Sequence, residues 1–193
     1  MIDRFKKYYN RVFSRLGGSD LNFIQMRLFV KKITPEFEKS LKEKIEYNIL
    51  QADVREASEE DIDCLIYLHE VAWHSTPMPY RPLKQDSINN LLNDPSIIFL
   101  IAKVEGEDSG FALIYFTGEK NSIGVIAGMG IIPELHRKGL GTILGMAAWD
   151  YFKKKGVAEL RCKVYKDNNI AYNFIKGLRF EEYDDDFVHW KLY

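Results

Sequence analysis

The sequence predicts an α/β protein of the α+β kind: a mixed, mostly antiparallel central sheet flanked by helices, with an N-terminal extension ahead of it. Three observations carry that prediction. Strand candidates follow one another at 97–104, 111–117 and 122–132, joined by segments of turn composition, which is the signature of an antiparallel meander. After Pro133 the apolar period changes from two to that of a helix. From there to the C-terminus strand-like and helix-like segments alternate. A chain of 193 residues is long enough to bury a full core in one domain with an appendage.

The elements read in order as follows. Residues 1–49 form the extension. Phe5, Tyr8, Tyr9, Val12, Phe13 and Leu16 have helical spacing and stop at Gly17-Gly18. Ile24, Met26, Leu28 and Val30 alternate with Gln25, Arg27 and Lys31, a period of two that predicts a strand and leaves a helix open. Thr34-Pro35 supplies an N-cap and a first-turn proline for a charged helix reaching about Tyr47. The main domain is placed at 50–193. It opens with a short strand at Asp53–Ala57, and Ser58-Glu59-Glu60-Asp61 caps a helix whose Ile62, Leu65, Ile66, His69 and Trp73 share one face. The proline-rich stretch 74–82 is a loop, and a second helix spans about 84–93. After the meander, Leu140, Ile143, Leu144, Ala147, Ala148, Tyr151 and Phe152 mark a helix that Gly156 stops behind three lysines. Leu160, Cys162 and Val164 alternate as a strand; Ala171, Phe174, Ile175 and Leu178 mark a helix; two strands around Asp184-Asp185-Asp186 close the chain.

Composition narrows the function. No apolar run has the length of a bilayer span, so membrane insertion is not expected. The N-terminus scatters charges where a signal peptide needs an apolar block. The two cysteines, Cys64 and Cys162, lie far apart without metal-ligand spacing; they read as core residues in a reducing cytoplasm, and no metal is expected. The net charge of −1 is unevenly spread, with 11 Lys+Arg against 6 Asp+Glu in residues 1–49. That excess reads as a solvated helix face, and a nucleic-acid partner is not expected.

The informative segment lies between Met129 and Leu144. A buried strand ends at Ile131-Ile132, and a short turn, His136-Arg137-Lys138-Gly139-Leu140-Gly141-Thr142, leads into the amphipathic helix. The first amides of a helix lack internal partners and carry partial positive charge. Gly139 and Gly141 would let a phosphate approach them, Arg137 and Lys138 add charge at the rim, and Thr142 offers a hydroxyl. The arrangement suits a diphosphate. Tight strand-to-helix packing is the alternative reason for the glycine pair, and neither the P-loop nor the dinucleotide pattern is present.

The same segment, from Ile131 through Thr142, resembles the acetyl-CoA signature of the GNAT superfamily of N-acetyltransferases. The resemblance runs from about Leu50 to the C-terminus and takes in Val54-Arg55-Glu56-Ala57 and the run from Asn168-x-x-Ala171 to Phe180. It implies acetyl-CoA as acyl donor, with the amides of Arg137 to Thr142 on the pyrophosphate. Backbone groups of Gly130, Ile131 and Ile132 would pair with the pantetheine arm, Asn168 would lie beside it, and Gly128 and Gly130 would mark a strand bulge. His136 stands where the family has Gln or Arg. Ile175 stands where a tyrosine often protonates the departing thiolate, and Arg179 replaces a glycine.

The implied reaction is direct attack of an amine on the acyl thioester, with an oxyanion amide near Ile131. Tyr172, one turn before Ile175, is the candidate acid, and His74 in the proline-rich loop the candidate base. His69 reads as a satisfied core residue. The acceptor is a primary amine of a small molecule or peptide, met by the rim at 73–82 and 183–189, with Trp73, Tyr80, Tyr183 and His189. Two other functions fit the segment: a non-catalytic acyl-CoA-binding module whose N-terminal unit docks a partner, and an anion-binding protein unrelated to CoA. Homodimerisation through the extension stays open.

Overall fold

The computed structural model describes residues 22–47, 50–80 and 82–184; the expected helix at 4–16 and the last expected strand, with His189, lie outside them. The described strands are β1 (Phe23–Phe29), β2 (Asp53–Glu56), β3 (Ile97–Val104), β4 (Glu107–Thr117), β5 (Ile123–Ile131), β6 (Glu159–Tyr165) and β7 (Glu181–Glu182). The helices are α1 (Pro35–Glu46), α2 (Ile62–His74), α3 (Gln85–Leu92), α4 (Leu140–Lys155) and α5 (Asn169–Gly177). The strands form one seven-stranded sheet in the order β2-β3-β4-β5-β6-β1-β7, and every pairing is antiparallel except β5 with β6. The predicted class is therefore the observed one.

β1 takes a place inside this sheet. Its alternation puts Met26 and Leu28 into the core, and it pairs along its whole length with β6, from Phe23 opposite Tyr165 to Phe29 opposite Glu159. Its other edge carries β7, through Met26 opposite Glu182 and Arg27 opposite Glu181. The segment expected as part of an extension thus stands between two strands of the main domain. α1 follows as the sequence predicts: the Thr34 hydroxyl accepts from the Phe37 amide, Pro35 occupies the first turn, and Phe37 and Leu41 are buried.

Helices cover both faces. On one, α2 and α3 bury Leu65, Leu68, Ile88 and Leu91 against Phe99, Ile101, Phe111 and Tyr115. On the other, α4 lays Leu140, Leu144, Ala148 and Phe152 over Leu100, Ala112, Ile114 and Leu160. α1 lies beside α4, where Glu38 meets Lys153 at 3.0 Å, and the Arg179 guanidinium sits 4.0 Å from the centre of the Phe37 ring. The junction from β2 to α2 is held by charge: Arg55 grips Asp61 with two bonds of 2.8 and 2.7 Å, and the Ser58 amide donates to the same carboxylate at 2.8 Å.

One connection differs from expectation. The six residues 105–110 read as a loop, but β4 begins at Glu107 and only Glu105 and Gly106 turn, both with positive φ. Two-residue turns of that kind match the twist of the flanking strands, so pairing continues almost to the tip.

Candidate active site

β5 is irregular where it matters. Leu113 of β4 lies opposite Gly128 while Ile114 lies opposite Ile126, so Ala127 is an extra residue and the strand bulges. On its other edge β5 pairs with β6 only from Ile123 to Ile126, opposite Glu159 to Cys162. Beyond that point the two strands are no longer paired, which leaves a slot along the β6-side edge of β5.

Ladder geometry tells which groups face the slot. The Ile132 amide donates to Ser109 on the β4 side at 3.0 Å. In an antiparallel ladder successive residues point their backbone groups to opposite sides. Gly130 and Ile132 therefore bond toward β4, while Met129 and Ile131 turn their amides and carbonyls to the slot. The carbonyl of Ile131 already has a partner: the His136 ring, with its proton on Nε2, donates to it at 2.9 Å. His136 thus ties the turn back onto the strand end, and the Ile131 amide stays directed at the slot.

The turn itself is a folded cradle. Pro133–Leu135 make one 3-10 turn, and the amides of His136 and Lys138 donate back to Pro133 and Leu135. Arg137 has φ +59° and Gly139 φ +90°, with Lys138 between them outside the positive region, so the backbone alternates in hand. Successive amides in such an alternation converge on a common point, a geometry that binds anions. Gly139 caps α4, and its carbonyl accepts from Thr142 at 2.9 Å and Ile143 at 3.2 Å. Among the described residues the amides of Arg137, Gly139, Leu140 and Gly141 donate to no backbone carbonyl, while that of Thr142 is engaged inside the turn. The two glycines differ. A side chain at Gly139 would be strained by its φ, whereas a Cβ on Gly141 would lie 3.2 Å from Phe174 and 3.4 Å from Ile131, so Gly141 serves close packing of α4 on α5 and β5.

Below Thr142 an apolar cavity of about 60 Å³ runs under α4 toward α1 and α5, with Ile126, Met129, Met146, Phe174 and Ile175 on its walls. Ile175 is buried there and offers no polar atom. Tyr172 is drawn elsewhere: its hydroxyl donates to Glu182 on β7, which pushes its pKa up. Asn168, after β6, caps α5, its Oδ1 accepting from the Ala171 amide at 3.0 Å.

On the opposite face, α2 reaches β5 through its last turns. A Cβ on Gly130 would lie 2.5 Å from the Phe111 ring and 2.7 Å from Ala72, and one on Gly128 would touch Phe111 and Trp73 at 3.9 Å. His74 is exposed at the end of α2, its ring 4.4 Å from that of Tyr80. His69 is buried, as read from the sequence, but it is not satisfied: neither ring nitrogen has a hydrogen-bond partner among the described residues. Burial pushes its pKa down to about 4, so the ring is neutral near pH 7. Its place on an otherwise apolar helical stripe was the visible signal; the missing partners depend on residues distant in the chain. Among the described residues, no group of three or more His, Cys, Asp or Glu is arranged to hold a metal ion, and no helix is long and apolar enough to cross a membrane.

The structure thus brings the turn 136–142 and the slot-facing backbone of β5 together on one side of the sheet and His74, His69 and Trp73 on the other, while Asn168 is shown only as the cap of α5. Known proteins resemble this chain in sequence and in fold. A spermidine N(1)-acetyltransferase of Thermoplasma acidophilum is 25% identical over 75% of this chain and 99% of its own. A mycothiol acetyltransferase of Renibacterium salmoninarum is 35% identical over 35% of this chain, a match spanning only 20% of that protein. Among solved structures, an N-acetyltransferase of Thermoplasma acidophilum in complex with coenzyme A superposes with a TM-score of 0.63 at 22% identity, over 71% of this chain and 94% of that one. The model of the acetyltransferase (GNAT) family matches residues 65–180, more than half the sequence, and the chain belongs to that family.

Proposed function

We propose that this protein transfers an acetyl or related acyl group from acetyl-CoA to a primary amine of a small molecule or peptide. The observation that carries the reading is the adjacency of an alternating-hand anion cradle at 137–141 to a strand whose edge is open beyond Ile126. The amides of Arg137, Gly139, Leu140 and Gly141 would take the diphosphate, with the Arg137 and Lys138 side chains adding positive charge. With the Ile131 carbonyl held by His136, the backbone of Met129 would pair with the pantetheine arm, in place of that of Gly130 and Ile132, and the Ile131 amide would steady the oxyanion. The amine nitrogen attacks the thioester carbon, the new C–N bond forms, the C–S bond breaks, and the amine's proton passes through a basic group to solvent or to the departing thiolate. His74, on the exposed rim of the acceptor face, is the proposed proton acceptor. A thiolate with a pKa of about 8.5 can depart without a side-chain acid, which suits a cavity where Ile175 is apolar.

Calorimetric titration with acetyl-CoA, CoA, pantetheine and pyrophosphate, then thiol release with an amine panel, tests the reading. Binding that needs both diphosphate and pantetheine, with acceptor-dependent release of thiol, supports it; binding no tighter than simple phosphate removes it. A second reading, a non-catalytic acyl-CoA-binding module, is favoured by Ile175 and by the engagement of Tyr172 with Glu182. Coenzyme binding without thiol release across the panel would select it. Tyr172→Phe separates the roles of that hydroxyl: we expect kcat to stay within about threefold, and a larger fall with unchanged acetyl-CoA affinity would return Tyr172 to the chemistry as the acid.

A further inference from the structure

Resting on the acyltransfer reading, we propose that His69 receives the acceptor: its imidazole accepts a hydrogen bond from the attacking amine inside an aromatic box built by Trp73, Tyr80 and Phe111. Buried polar atoms in folded proteins nearly always have partners, and exceptions mark places where function supplies one. His69 is 3% exposed, and both of its ring nitrogens lack a partner among the described residues. Its surroundings are ring faces. The imidazole stacks on Trp73 at 4.2 Å between centroids, with Tyr80 at 5.8 Å and Phe111 at 6.3 Å.

Position relates this box to the chemistry. Phe111 lies opposite Gly130 in the sheet, and its ring occupies the space a Cβ there would need. Trp73 stands over Gly128, beside the bulge at Ala127. The box therefore abuts bare β5 backbone from the α2 side, while the anion cradle adjoins the same strand from the α4 side. A thioester held along the open edge of β5 would be met by a nucleophile arriving from the face where His69 lies. The buried ring faces favour the uncharged amine, which is the nucleophilic form, and a neutral imidazole has one nitrogen able to accept from it. Flat ring walls suit an unbranched primary amine, whose first methylenes lie against them.

The test uses the full chain, with spermidine, n-butylamine and an alanine-initiated peptide as acceptors. His69→Phe keeps a ring for the stack and removes both nitrogens; His69→Gln restores an acceptor atom. The expected result is an acetyl-CoA Kd within twofold of wild type for both variants and a thermal midpoint for His69→Phe no lower than wild type. With them we expect a fall of at least tenfold in kcat/KM for the amine in His69→Phe, borne mainly by the amine KM, and partial recovery in His69→Gln. Wild-type kcat/KM in His69→Phe would overturn the proposal. So would an equal fall in both variants with a lowered melting point, which would make His69 a packing residue. Absence of thiol release in the wild type, despite tight acetyl-CoA binding, removes the acyltransfer reading and this inference together, and is seen before any variant is made.

Discussion

At the scale of single residues, two glycines that look equivalent in sequence have different duties. Gly139 sits at φ +90°, where a side chain costs about 1–2 kcal/mol. Gly139→Ala should lower the melting temperature by roughly 2–8 °C for a chain of this size and weaken acetyl-CoA binding, because the cradle's hand can no longer alternate freely. Gly141→Ala gains up to about 1 kcal/mol of helix propensity against a crowded Phe174, so its stability should change by less than that; thermal melts and calorimetry on the pair check both. Asp61 supplies a test by pH. The Arg55 guanidinium, joined by Ser58, holds its carboxyl far below the usual carboxylate range. A depressed pKa adds stability that is complete above the unfolded value of about 3.9 and fades as pH falls below it. Asp61→Asn should therefore cost about 1–3 kcal/mol at pH 7, and the gap between its urea midpoint and that of wild type should begin to narrow as pH falls below about 3.9, closing only toward the depressed folded value; a gap that does not narrow at all below that pH would refute the assignment. The Ser58–Asp61 cap was legible because its partners are three residues apart. The state of His69 was not, since the box around it is completed by Phe111, from a strand distant in sequence.

At the scale of elements, the joint between α1 and α4 turns on one carboxylate. Glu38 accepts from Lys42 at 2.9 Å and from Lys153 at 3.0 Å, and these lysines draw its pKa down to about 2. Both lysines are about half exposed, so solvent screens the pair and its worth is about 0.5–1 kcal/mol. Glu38→Gln should lower amide protection in 35–46 by several-fold while α4 keeps its own, as read by hydrogen exchange; equal loss in both helices would mean that they open as one unit. The same contribution should vanish in the wild type as pH falls from about 4.3 toward 2. Period and caps made these elements readable. Thr34-Pro35 announced α1, and the switch after Pro133 announced α4. Connections were harder: residues 107–110 carry turn-like composition yet lie in β4, because pairing with β3 up to a two-residue turn overrides local preference.

At the scale of the whole molecule, the alternation of Ile24, Met26 and Leu28 disclosed a strand but not its partner, since a period of two says which side chains are buried and nothing about which edge they meet. The edge is that of β6, and the consequence is structural dependence. Without β1 the run Glu159–Tyr165 would have one neighbour over only its first half, β7 would lose its described partner, and Met26 and Leu28 would leave a gap beside Leu160 and Cys162. Each buried side chain of that size contributes about 2–5 kcal/mol when lost to a cavity, and the whole stability of a domain is only about 5–15 kcal/mol. The segment 50–193, expressed alone, should therefore fail to melt cooperatively by calorimetry and should self-associate through the bared edge of β6 in sedimentation. A peptide covering 22–34, added in trans, should restore a cooperative transition by filling the slot between β6 and β7. If instead 50–193 melts as one sharp transition within a few degrees of the full chain, β1 is dispensable and the boundary near residue 50 is a true one. If the peptide restores the transition but not acetyl-CoA binding, the strand completes the sheet while α1, which lies over the apolar cavity beside Thr142, is what the coenzyme side still lacks.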